Sequence, residues 1–545
     1  MNFKLRSLVA ATLAGSMLMG FGTSAMADST DDILNALIAK GILTEEEGAL
    51  LQKGRTGEKE AAAKKKETAV SIKNKDGSMV LETGDGKNSM ALTGRMQFDM
   101  RSESNNTNTG TLALNQDRDT ASMADQFELR RARIGVKGKM FEHFDYEVIG
   151  NLVGSNTNTV DVAYVNAGMY KQAQLKLGQY KQPFNLEEYG TSSNNIDFME
   201  RSYVNQITPA KKTGAMLHGV PATGLTYAAS VYQQNNFGET DKDSTGKGFA
   251  GRGTINFAEL AGWNDSVFHV GAAGFNSEYG VLPTPSSSGV APTCTNPTGT
   301  TVTCTAGAAT NGTVFAFRSA GRGLSNAYRA QIGGSLVLPG ANSEGTAKVE
   351  NKAYGLELAM AKGPFKIQGE YTDQVFNAKS ETVQSYLHAD VKAYYVEALW
   401  MLTGENYANW YKNGAWGGIK PTSNFDIESG KGKGAWELGV RFDAYDVSDV
   451  AMYSGAGSAA SSRIQGSFTG NTGTHQKTSS TLGAAGAGGG AKTYTVGVKW
   501  QLTPNMRVLA NYAHTKYDDP FQAVDTTLSN ITKEDLIMVR SQFSF

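Results

Sequence analysis

The sequence predicts an all-β protein, a transmembrane antiparallel β-barrel of 16 strands with a short N-terminal helical segment. Three observations carry this reading. Apolar and polar residues alternate with a period of two from about Met90 to the end of the chain. Beyond the first 27 residues no run of roughly 18 apolar residues follows, so no apolar helix is available to span a bilayer. Short turns and long polar connections also alternate along the chain, as they do in barrels whose two ends face different compartments.

Residues 1–27 read as a secretory signal peptide. Lys4 and Arg6 form a basic start, Leu8 to Phe21 an apolar stretch, and Ala25-Met26-Ala27 a small-residue cleavage site. Cleavage is expected after Ala27, and the address is a bacterial outer membrane. Without Lys4 and Arg6 the chain has 49 basic residues against 52 acidic ones, so no global basic field for nucleic acid exists. The 63 glycines and 51 aromatics against 12 prolines suit many strands, glycine-rich loops and aromatic girdles.

Residues 28–70 differ. Ile33, Leu34, Leu37 and Ile38 have helical spacing, Gly41 interrupts it, and Thr44 with Glu47 forms a capping box. A periplasmic helical segment, coiled-coil-like, a cell-wall tether or a plain spacer, is expected there, with the barrel domain over 71–545.

The connections count the strands. Short ones fall near Phe141–His143, Tyr170–Ala173, Gly219–Gly224, Leu260–Asp265, Gly363–Pro364 and Leu502–Asn505. Long ones fall at Ser102–Ala124, Gly154–Thr159, Phe184–Lys212, Asn235–Gly246, Asn276–Val349, Phe376–His388, Asp446–Ala491 and Asp518–Glu534. Thr403–Lys431 stands where a short turn belongs and reads as a periplasmic insertion. A seventeenth alternating segment, "NAYRAQIGGSLVL", would put the turn at Gly363–Pro364 on the wrong side of the membrane, so it belongs to the fifth loop. In the last segment Ile537, Val539, Phe543 and Phe545 share one face, and Met538, Arg540, Gln542 and Ser544 the other. It reads as the final strand, closing against the first. Sixteen strands leave an aqueous channel.

A channel's chemistry is the charge and width of its narrowest part. In "FELRRARIGVKG" the apolar Ala132, Ile134 and Val136 face lipid, so Arg131, Arg133 and Lys137 face the lumen. Guanidinium forks match phosphate or carboxylate oxygens two at a time. Two readings stay open: these cations meet a passing anion, or they pair with Asp145, Glu147 and Asp161 and stiffen the wall. Cys294 and Cys304 sit close together in an exported chain and read as a disulfide clip. The six histidines have no metal-ligand spacing, no Ser/His/Asp grouping is evident, and no enzyme activity, metal or cofactor is expected.

"GQYKQPF", "LEEYGTSSNNIDFMER" and "AKKTG", with "LRRARIGVKGKMFEHFDYEV", "YGLELAMAKGPFKIQGEY" and "GAWELGVRFDAYD", recur in the order in which they occur in a known family. Over most of residues 90–545 the chain resembles the phosphate-selective porin O and P family. The resemblance implies a sixteen-stranded outer-membrane barrel, usually a homotrimer, with loops folded inward around a basic constriction. Carried over by motif, it makes Arg95, Arg131, Arg133 and Arg201 pore cations and Asp161 a counter-acid. The family's densely spaced fifth-loop arginines are represented here only by Arg318, Arg322 and Arg329, so anion preference is expected more firmly than phosphate specificity. The expected function is passive diffusion of small anions, phosphate or a related oxyanion first. The alternatives are a general or differently selective porin on the same barrel, and a structural or adhesive outer-membrane barrel.

Overall fold

The computed structural model describes residues 40, 44–46, 69–75, 78–107, 126–153, 160–234, 246–281, 293–295, 301–303, 311–322, 328–333, 347–380, 385–454, 488–521 and 531–545. The expected signal peptide, nearly all of the expected helical segment, and Cys304 of the expected disulfide lie outside the described residues.

Sixteen strands form a closed antiparallel barrel: β1 Ser89–Thr107, β2 Gln126–Met140, β3 Phe144–Asn151, β4 Val160–Tyr170, β5 Ala173–Lys181, β6 Lys211–Ala222, β7 Leu225–Gln233, β8 Lys247–Asn256, β9 Ser266–Val281, β10 Ala347–Lys362, β11 Phe365–Ser380, β12 Ser385–Met401, β13 Ala435–Ser454, β14 Gly489–Thr503, β15 Met506–Phe521 and β16 Ile531–Ser544. Each pairs with its sequence neighbour, and β16 pairs with β1, from Ile531 opposite Thr107 to Ser544 opposite Arg95. Closure satisfies every strand edge, the condition for crossing lipid with sheet. Two further strands, Val70–Lys75 and Ser78–Thr83, pair with each other and extend the start of β1.

The period of two sorts the side chains. Met96, Phe98, Ile134, Leu177, Leu356, Ile367, Val440 and Ile537 are exposed on the outer, lipid-facing wall. Their neighbours Arg95, Gln97, Asp99, Glu357, Gln368, Arg441 and Arg540 are buried inside. Six of the seven turn-side connections are short, as expected; the exception joins β12 to β13. The described part of the rejected segment stays out of the barrel: Tyr328–Gly333 pairs with Asn311–Phe317 in a separate hairpin in the fifth loop.

Some expected loops are strand instead. The connection expected over Phe376–His388 shrinks to the four residues between Ser380 and Ser385, and β13 runs on to Ser454. The fifth loop supplies the reason. Its Val314, Phe315 and Phe317 enter the lumen and cover the inner faces of Phe376, Leu387, Val391, Tyr445 and Val447. Phe315 stacks on Phe376 at 4.3 Å and Phe317 on Tyr445 at 4.0 Å between ring centroids. A strand with an apolar inner face remains ordered wherever something apolar covers it.

The β16–β1 seam tolerates little bulk. Gly94 exchanges backbone hydrogen bonds with Phe545 at 2.9 and 3.1 Å. A Cβ on Gly94 would meet the Phe545 ring at 2.5 Å and the Arg133 carbonyl oxygen at 2.8 Å. Gly94→Val is expected to destabilise closure by roughly 1–3 kcal/mol, an overpacking cost. The check is the fraction of purified protein that keeps the compact, heat-modifiable mobility on gels, which should fall.

Candidate functional site

Three segments fold into the lumen. The third loop, residues 182–210, crosses from β5 to the opposite wall. One short turn of it, Asn185–Tyr189, donates the Leu186 and Glu187 amides to the Glu370 carboxylate on β11, at 2.7 and 2.8 Å. Asp197 then pairs with Lys366 of β11 at 2.6 Å and Lys499 of β14 at 3.4 Å. The Met199 amide donates to Asn511 on β15 at 2.8 Å. Glu200 reaches the seam, where it meets Arg540 of β16 at 3.0 Å, Arg101 of β1 at 3.2 Å and Arg130 of β2 at 2.9 Å. Asp99 binds the same Arg540 at 2.6 Å.

Burial alone would raise the Glu200 carboxyl. Arg130, Arg540 and Arg131 overcome that and hold it well below its usual value of 4.5. Glu188 behaves alike: burial opposes ionisation, while Arg201, Lys181 and Lys211 bring it down to about 2. Both acids therefore stay charged at neutral pH.

The second inward segment is the fifth loop, tied to the third through Gln206, which accepts from the Arg318 amide at 2.8 Å. The third is the insertion between β12 and β13. Its Tyr411–Lys412 and Ala415–Trp416 pair across Asn413-Gly414, both at positive φ, 51° and 73°. That geometry is a two-residue hairpin turn, which Asn-Gly favours. The Trp416 amide donates to Gly190 of the third loop at 2.8 Å, and the tip carbonyl of Gly414 accepts from Arg252 of β8 at 3.0 Å. So the insertion tucks up beneath the third loop rather than hanging outside the barrel.

Above the third loop lies a cavity of about 400 Å³ lined by Arg130, Arg131, Arg201, Arg318 and Arg322, with Glu200 the only acid among the described residues that line it. Arg131 donates to the Gln97 amide oxygen at 2.8 Å, not to a carboxylate. Among the described residues, no ion pair holds Arg131, Arg318 or Arg322. Burial, eased by Glu200 and reinforced by Arg130, Arg318 and Arg101, pushes the Arg322 guanidinium down to about 10, still charged at neutral pH. Below, Arg95 donates to Ser193 Oγ, Arg133 pairs with Asp161 at 2.8 Å and Lys211 with the same Asp161. Arg201 pairs with Glu188 at 2.8 Å and donates to the Glu187 and Thr191 carbonyls. The open alternatives for the β2 cations thus divide: Arg133 is paired, Arg131 is not. The side chain of Arg329 lies outside the described residues; its backbone pairs with Ala316.

Parity reasoning missed Arg130. Between Gln97 and Phe98 the β1–β2 register slips, so that Arg130 is the extra residue of a bulge and turns inward beside Arg131. A second slip, between Ile149 and Gly150, makes Asp161 the extra residue of β4 and aims it at Arg133. Arg101 and Arg540 of the seam were also missed as a cluster, although their wet face was readable.

The model of the phosphate-selective porin O and P family matches residues 90–280 and 321–545. The chain belongs to that family. Porin O of Pseudomonas aeruginosa is 26% identical over 466 residues, covering 82% of this chain and 87% of that protein. Among solved structures, in-vitro folded OmpT of Vibrio cholerae is similar at 9% identity and a TM-score of 0.45, covering 84% of this chain and 98% of that one. The outer membrane channel DcaP of Acinetobacter baumannii matches at 9% identity and a TM-score of 0.41, over 84% and 97% of the two chains. An anion-selective porin from Comamonas acidovorans matches at 10% identity and a TM-score of 0.40, over 84% and 100%. The chain is an outer-membrane porin, a passive channel and not an enzyme.

Glu200 anchors the porin's third loop, so its loss should loosen the constriction. Glu200→Gln removes the carboxylate from three arginines, a change that costs about 3–5 kcal/mol when a buried pair is broken. Single-channel traces of this variant should show large current fluctuations. In the unaltered porin the carboxyl's lowered folded value means its stabilisation is complete above 4.5 and disappears only as pH falls through that lowered value. Its traces should therefore stay quiet down to about pH 4.

Proposed function

We propose that this porin passes small anions by passive diffusion and briefly holds phosphate or a related oxyanion in the cavity above the third loop. One observation carries the reading: five arginines and one glutamate line that cavity, and three of the arginines have no carboxylate partner among the described residues. Guanidinium forks replace part of an oxyanion's hydration shell two oxygens at a time. Arg95, Arg133 and Arg201 continue the cationic path downward, but Asp161 and Glu188 offset part of their charge. That compensation keeps binding weak enough for release, which conduction requires. We also infer a homotrimer in outer-membrane lipid, exported by removal of residues 1–27.

The Arg133–Asp161 and Arg201–Glu188 pairs favour a second reading, a wide pore whose arginines merely brace the wall. Reversal potential across a chloride gradient separates the two. Anion selectivity, with chloride current blocked by added phosphate, is expected. Arg322→Ala and Arg131→Ala should each raise the half-blocking phosphate concentration about tenfold, the order of one charge-assisted hydrogen bond. An unselective pore indifferent to phosphate would establish the second reading.

A further inference from the structure

The pore has a second chamber below the constriction, and its chemistry differs from that of the first. A cavity of about 170 Å³ is lined by Gln174, His218, Thr226, Tyr227, Arg252 and Asn413, among others. Its one cation is spoken for. Arg252 meets the Glu357 carboxylate through two bonds of 2.8 and 2.7 Å, and the same Nη2 reaches the Gly414 carbonyl. The chamber is therefore close to neutral, although it lies in the path of an anion.

Its wall is built to hydrogen-bond. Asn166 donates to Gln174 at 2.8 Å, and its Oδ1 lies 2.8 Å from His218 Nε2. Since an amide oxygen only accepts, His218 Nε2 carries the proton and Nδ1 remains an acceptor. Thr226 shares a bond with Thr254, and Asn413 is the tip of the inserted hairpin. Donors and acceptors are thus interleaved around one small space. An inorganic oxyanion, which mainly accepts, would leave those acceptors unmatched. Hydroxyl groups both donate and accept, and would match them.

A further cation stands nearby on the same strand. Lys176 lies two residues from Gln174 on the same face of β5, about 7 Å along the strand. Its Nζ sits 4.3 Å from the Tyr164 ring centroid, and among the described residues no carboxylate pairs with it. A volume of 170 Å³ holds about five to six waters at roughly 30 Å³ each, the size of a three-carbon polyol.

We propose that this lower chamber is a solute subsite for small hydroxylated anions, with the charged group on Lys176 and the hydroxyls among Gln174, His218, Thr226 and Asn413. The favoured solute class is then a phosphate monoester or carboxylate of a short polyol, beyond inorganic phosphate itself. The proposal builds on the anion-channel reading above and refines its solute.

The test uses the full chain in planar bilayers, reading block of chloride current by three probes: inorganic phosphate, glycerol 3-phosphate and propyl phosphate. The last two share charge and approximate size and differ in hydroxyls. Glycerol 3-phosphate is expected to half-block at a concentration about three- to tenfold lower than propyl phosphate. The double variant Thr226→Val, Asn413→Ala should erase that difference, with heat-modifiable gel mobility verifying that it folds. Equal block by the two esters in the unaltered porin would overturn the proposal, as would a difference that survives in the folded double variant. Failure of inorganic phosphate to block would overturn the arginine-cavity reading instead, because the ester comparison is read separately.

Discussion

The interior of this barrel depends on one electrostatic constraint: the third loop carries acids across the lumen and buries them there. An unpaired buried charge costs several kcal/mol, so each of these acids must meet cations fixed to the wall. Glu200 meets Arg540, Arg101 and Arg130, and Asp197 meets Lys366 and Lys499. Those partners belong to β1, β2, β11, β14 and β16. The loop is consequently tied to both sides of the barrel, and across the seam where the first and last strands join. Arg441 of β13 adds a bond to the Glu200 carbonyl at 3.0 Å.

With the loop fixed, the lumen divides. On the side of β9 to β16, aromatic and aliphatic side chains of the fifth loop and the insertion fill the space, as in the clusters around Phe317 and around Trp416. These strands run 14 to 20 residues. On the side of β3 to β8 the strands have 8 to 12 residues, and the buried inward residues mix Asn166, Ser230 and Arg252 with Tyr180, Met216 and Tyr232. Both cavities lie against that second side and its neighbour β2.

The path along the open side changes character as it descends. Unpaired guanidinium groups come first, then compensated cations, then a neutral wall of amides and hydroxyls closed below by the hairpin tip. On the anion-channel reading proposed above, a solute would meet long-range attraction before hydrogen-bond selectivity, the order that draws charged solutes in quickly and still discriminates among them.

Alternation and turn chemistry were enough to read the strand count, the wet face of β16 and the exclusion of "NAYRAQIGGSLVL" from the barrel wall, because a period of two and a closed sheet leave few solutions. Arg131 and Arg133 were placed in the lumen correctly by parity alone. Arg130 was not legible, since a bulge moves one residue across the sheet and leaves no mark in composition, whereas Asp161 was named as a lumen acid and does meet Arg133. Nor were the partners of the seam cations legible, because Glu200 and Arg540 are 340 residues apart. The sequence by itself determined a sixteen-stranded barrel with a cationic lumen, through local geometry repeated along each strand. Only the tertiary structure decided which cations stay unpaired, because pairing depends on how loops distant in sequence cross a shared interior.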